Sequence, residues 1–214
     1  MDLGPRTPAD TAIVLIDYVT GFANSIGSQT LVENATGAVA LAHIAQAYDV
    51  PLVVTLGPEG DPRGGLYPEL AARLGDHPLV HRAGSFDSFV EDGFAEAVAA
   101  TGRTHLAIAG IMSEGCVVHT ALGALRAGYA VSMVVDATAG ETTTSHDAAM
   151  TRLVQAGATP TTWLSLASEF QVTYQNTATI DEFRAIQRYS PKYAMLQTTI
   201  ATAVGAGRAA AARG

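Results

Sequence analysis

The sequence predicts an α/β fold, a doubly wound and mainly parallel sheet with helices on both faces. Three observations lead there. Continuous apolar runs of strand length recur along the chain, as expected of strands buried on both faces. Segments with apolar residues at helical spacing lie between them, and that alternation is the mark of βαβ units. A chain of 214 residues with 48% apolar content can also bury the core of one large domain, so residues 1–214 are read as a single domain.

The first strand falls in 11-TAIVLIDYVTGF-22, an apolar run that meets a carboxylate at Asp17. From Leu31 to Tyr48 the residues Leu31, Ala35, Val39, Ala42, Ile44 and Ala45 recur at helical spacing, and 51-PLVVTLG-57 follows as the second strand. The stretch 57-GPEGDPRGGLYPE-69 is dense in Gly and Pro and reads as a long loop, a kind of segment that commonly carries function. A short helix from Pro68 to Leu74 leads to the third strand in 79-LVHRAG-84. Next come a helix in 90-VEDGFAEAVAATG-102 closed by Gly102, a strand in 104-THLAIAG-110, a helix over 115–127 and a strand in 130-AVSMVVDA-137. A helix in 144-TSHDAAMTRLVQAG-157, capped by Thr144 or Ser145, precedes a weak sixth strand near Thr161 to Trp163. Residues 164–214 read as a helical extension, and its scattered aromatics are expected to serve contacts between subunits.

The net charge of −8 is dispersed, with no Lys/Arg run to track phosphates, so nucleic acid is excluded as a partner. No apolar stretch is long enough to span a bilayer, and Met1-Asp2 opens without a basic, leader-like segment. One cysteine cannot form an internal disulfide. The expectation is a cytoplasmic protein acting on a small molecule, with no membrane partner.

That cysteine raises the chemical question. Cys116 follows the loop 110-GIMSEG-115 and is expected in the first turn of the next helix, where free backbone N–H groups favour a thiolate. An inert cysteine could sit anywhere in a core, whereas this one occupies the strand-to-helix turn where α/β proteins place ligands. Asp17 ends strand 1, and a carboxylate there is costly to bury unless it is used. In the common doubly wound order 3-2-1-4-5, strands 1 and 4 adjoin where the winding reverses, so Asp17 and Cys116 are expected to face one crevice.

The segments LIDYVTGF, HRAGSFDSFVEDGF and LAIAGIMSEGCVVHTALGALRAGYAVSMVVDATAG resemble those of the isochorismatase-like cysteine hydrolases, and with WLSLASEFQVTYQN they are most similar to the YcaC-like subgroup. The resemblance runs over about residues 10 to 200 and implies the strand order 3-2-1-4-5-6. It implies a catalytic triad whose Asp and Cys fall on Asp17 and Cys116, while the family lysine is replaced by Arg82. Arginine can orient Asp17 but cannot shuttle a proton as a lysine of lowered pKa does. It further implies a cis peptide between Ile111 and Met112, an oxyanion hole from the Met112 and Cys116 amides, and a ring-like homo-oligomer, an octamer. Many relatives hold a metal with an Asp and several His in the loop after strand 2. Here that loop has Asp61 and no histidine, so no metal and no cofactor is expected.

Tyr18 and Phe22 follow the catalytic aspartate and are expected to shape the substrate pocket, with His119, one helical step beyond Cys116, as a pocket wall. The expected reaction is hydrolysis of a C–N bond in a small amide, imide or related acyl compound through a Cys116 thioester. Two alternatives stay open: isochorismatase-type vinyl ether hydrolysis with Asp17 as the acid, and a non-catalytic oligomeric binding protein on a hydrolase fold.

Overall fold

A computed structural model describes residues 4–211. Six strands form one sheet in the order β3-β2-β1-β4-β5-β6, and every pairing is parallel. They are β1 (Thr11–Ile16), β2 (Leu52–Leu56), β3 (Leu79–His81), β4 (His105–Gly110), β5 (Ala130–Val134) and β6 (Thr159–Thr161). The helices are α1 (Leu31–Ala47), α2 (Pro68–Leu74), α3 (Asp92–Ala100), α4 (Val118–Arg126), α5 (Thr143–Gln155), α6 (Trp163–Gln171), α7 (Ile180–Gln187) and α8 (Pro191–Ala211).

The central strands read as unbroken apolar runs because both faces are covered. Along β1, Ile13 and Leu15 join a core layer with α1, α2, α6 and α7. The alternating Ala12, Val14 and Ile16 join the opposite layer with α3, α4 and α5. Helix α1 begins where a capping box permits: Thr30 accepts from the Glu33 N–H while the Glu33 carboxylate accepts from the Thr30 N–H.

Several boundaries differ from the sequence reading. β6 lies at Thr159–Thr161, and Trp163 instead opens α6 behind the Thr162 cap, whose side chain accepts from the Ser165 N–H. The cap of α5 is Thr142, not Thr144 or Ser145, and Thr142 accepts from the Ser145 N–H at 3.0 Å. β3 stops at His81, leaving Arg82 just beyond it. The part of the extension up to α7 completes the core of its own subunit, since Trp163, Leu166, Phe170, Ile180, Phe183 and Ile186 pack in the α1 layer.

Candidate functional site

Strand order puts the carboxyl ends of β1 and β4 side by side, with Ile16 in register with Gly110. A Cβ on Gly110 would collide with the Ile16 carbonyl oxygen, so glycine lets the strands stay close up to their carboxyl ends. Asp17 then leaves β1 with φ 55°, a left-handed conformation that Asp tolerates better than most side chains. Its N–H donates to the Thr55 carbonyl at 2.9 Å, which fixes the turn against β2.

Both Asp17 carboxylate oxygens accept from Arg82 Nη2, at 2.6 and 2.5 Å. The two side chains are 4% and 3% exposed, so two charges have been removed from water and need further partners. Arg82 Nε donates to Thr55 Oγ1 at 2.9 Å, and Nη1 donates to the Ser85 carbonyl at 2.6 Å. The loop carrying Ser85 is itself fixed by Glu91, whose carboxylate accepts from the Ala83, Gly84 and Ser85 N–H groups. Arg82 is therefore a buried structural partner of Asp17.

Cys116 approaches the pair from β4. After the cis Ile111–Met112 peptide the chain makes a wide turn of π-helical type over Ser113–Val117 before α4 begins. The cysteine thus sits in that turn, two residues before the helix in which it was expected. The Met112 N–H has no hydrogen-bond acceptor among the described residues. Burial, and then the neighbouring Asp17 charge, push the half-buried Cys116 thiol up to about 12, while Arg82 pulls it down. The expected resting thiolate is therefore corrected: burial and Asp17 outweigh the favourable groups around the sulfur, and the thiol is protonated at neutral pH.

The neighbouring residues divide. Tyr18 is fully buried, donates its hydroxyl to the Ala137 carbonyl and packs edge-on against Tyr67, so it belongs to the core and not to the pocket. Phe22 is partly exposed, with the Arg63 guanidinium 5.3 Å from its ring centroid. His119 lies beside Phe86, an exposed ring that also faces Gly115 in the cysteine turn. Thr55, Ser85, Phe86 and Arg63 were not foreseen. Thr55 had one signal, a polar residue within an apolar strand, and Arg63 had another, a charged pair in the Gly/Pro-rich loop. Asp61 in that loop pairs with Arg63, and no group of three or more potential metal ligands occurs among the described residues.

Residues 11–165 match the isochorismatase domain family. The chain belongs to the isochorismatase family of hydrolases. It is 33% identical over 167 residues to the probable hydrolase YcaC of Escherichia coli, covering 78% of this chain and 80% of that protein. The crystal structure of the E. coli YcaC gene product, described as an octameric hydrolase of unknown specificity, superposes with a TM-score of 0.88 at 30% identity over 94% of this chain and 98% of that one. YcaC from Pseudomonas aeruginosa, solved with hexane-2,5-diol and covalent acrylamide, gives a TM-score of 0.88 at 30% identity over 94% and 99%. The order of strands in this sheet accounts for the proximity of Asp17, Arg82 and Cys116.

Proposed function

We propose that the protein hydrolyses a C–N bond of a small amide, imide or related acyl compound through a thioester on Cys116. One observation carries this reading: the single thiol lies beside a carboxylate whose position a buried arginine fixes. As the sulfur attacks the carbonyl carbon, the thiol proton passes to Asp17, and the oxygen takes up negative charge opposite the Met112 and Cys116 amides. The carbonyl re-forms as the C–N bond breaks, and Asp17 returns the proton to the leaving nitrogen. Water then attacks the thioester, gives a proton to Asp17, and displaces the sulfur, which recovers that proton as the acid product leaves. Arg82 orients the carboxylate throughout and transfers no proton.

The covalent acrylamide in the Pseudomonas relative shows that protein to carry a group reactive toward a small electrophile, which is in keeping with a nucleophilic thiol here. The octameric E. coli relative supports a homo-oligomer, for which α8 offers an apolar stripe.

The test is a screen of small amides with the wild type, Cys116→Ala and Asp17→Asn, with mass spectrometry for an acyl adduct on Cys116. Loss of turnover in both variants and an adduct in the wild type are the expected results. Full turnover by Cys116→Ala would exclude the thioester route and leave acid catalysis by Asp17.

A further inference from the structure

Near the Asp17–Arg82 pair stands a second arginine that the reaction above does not use. Arg63 projects from the loop after β2, and that loop is built to hold it. Its backbone carbonyl accepts from the Gly21 N–H at 2.7 Å, where a Gly21 Cβ would intrude. At the end of β2, a Cβ on Gly57 would collide with Asp61 Oδ2 and come within 2.8 Å of Arg63 Nη2, so the absence of a side chain makes room for the pair. Gly57 follows Leu56, whose carbonyl accepts from the Arg82 N–H, and the loop arginine therefore stands at the end of β2, the strand between β1, which Asp17 follows, and β3, which Arg82 follows.

The way Asp61 binds Arg63 is informative. It occupies one edge of the guanidinium, accepting from Nε at 2.9 and 3.0 Å and from Nη2 at 2.5 Å. Neither N–H of Nη1 has a partner among the described residues, and the side chain is 43% exposed. The remaining edge, Nη1 with the second Nη2 proton, has the parallel-donor geometry that fits a carboxylate bidentately. The Phe22 ring backs the guanidinium. Arg63 is also in electrostatic reach of the reacting groups. Its pKa is raised first by the Asp61 hydrogen bonds, against opposition from burial, and further by the charges of Asp61, Asp17 and Cys116.

We propose that Arg63 determines specificity by receiving a carboxylate of the substrate on its open edge, with Asp61 holding it in place. The substrate class is then a small acyl compound that carries a carboxylate remote from the carbonyl attacked by Cys116. This inference rests on the reading of Cys116 as an accessible nucleophile. The chain as a whole carries −8, so an anion has to be drawn in by a local cation, and Arg63 is an exposed cation near this site with both Nη1 donors open among the described residues.

Two alkylating probes of nearly equal size test it without any knowledge of the substrate. Iodoacetate and iodoacetamide both react by displacement of iodide by the Cys116 sulfur, which gives up its proton, and only the first carries a carboxylate. Rates of Cys116 modification are read by mass spectrometry at pH 9 in the wild type, Arg63→Gln and Arg63→Lys. The iodoacetate-to-iodoacetamide ratio is expected to fall about fivefold in Arg63→Gln and to stay within about twofold in Arg63→Lys, since a charge is kept only in the latter. A merely structural role would change both rates together and leave the ratio alone. An unchanged ratio in Arg63→Gln, or an equal fall in Arg63→Lys, overturns the carboxylate role while the nucleophile reading stands. No modification by either reagent in the wild type overturns the nucleophile reading and this inference with it.

Discussion

A thiol pushed up to about 12 by burial and by Asp17 supplies almost no thiolate at neutral pH, so attack requires its proton to leave as the bond forms. The adjacent carboxylate raises the thiol pKa and is also the base that removes the proton. Asp17→Asn separates these effects. With the negative charge gone, the midpoint of the pH-dependent alkylation of Cys116 should move down from about 12 while amide turnover falls by about 100-fold or more. Alkylation rate against pH and a turnover assay check the two halves, and a midpoint that stays or rises contradicts the proposed geometry. Arg82→Gln leaves a 4%-exposed carboxylate without its partner and should lower unfolding free energy by about 3–5 kcal/mol, measured by urea denaturation. The Asp17 and Cys116 positions were legible because each is a chemically odd residue at the end of an apolar run. Thr55 and Ser85 were not, since a hydroxyl and a backbone carbonyl acquire their roles only once the chain brings Arg82 to them.

Sequence periodicity locates an element when both its faces are buried, and it weakens as exposure grows. β1 and β4 are buried at every residue and read plainly as strands. β6, with the sequence TPT at the sheet edge, offers no apolar signal, and its neighbour Trp163 drew the expected strand two residues too far. The wide turn at Ser113–Val117 was equally hidden, because its hydrogen bonds to Met112 and Ala139 depend on neighbouring loops and not on residue type. What the elements require at the candidate site is close approach of β1 to β4, and Gly110 is the residue that permits it. Gly110→Ala places a methyl group against the Ile16 carbonyl and should destabilise the protein by about 1–3 kcal/mol through overpacking. Turnover should fall as well, because the displaced strand end carries Asp17. Thermal denaturation and the amide assay check both, and an Ala variant as stable and active as the wild type would show that the strands can part there without consequence.

The distribution of apolar surface over the whole subunit separates the part that folds alone from the part that needs neighbours. The aromatics of α6 and α7 are spent on the α1 layer of the same subunit, whereas α8 leaves Leu196, Ile200 and Val204 exposed at four-residue intervals, a stripe along one helical face. A subunit that stayed single would keep this stripe in water, and contiguous apolar patches of that kind mark contact surfaces. Under the homo-oligomer proposed above, further copies of this chain are the fitting occupant. Replacing both Leu196 and Ile200 by Glu sets like charges along the stripe of α8, an element that contributes none of Asp17, Arg82 and Cys116. Sedimentation velocity should then show a species smaller than the wild-type assembly. Circular dichroism should be unchanged, since both side chains are already about half exposed in the subunit. If the double variant sediments as the wild type does, α8 is not the contact, and the assembly must be built on another face.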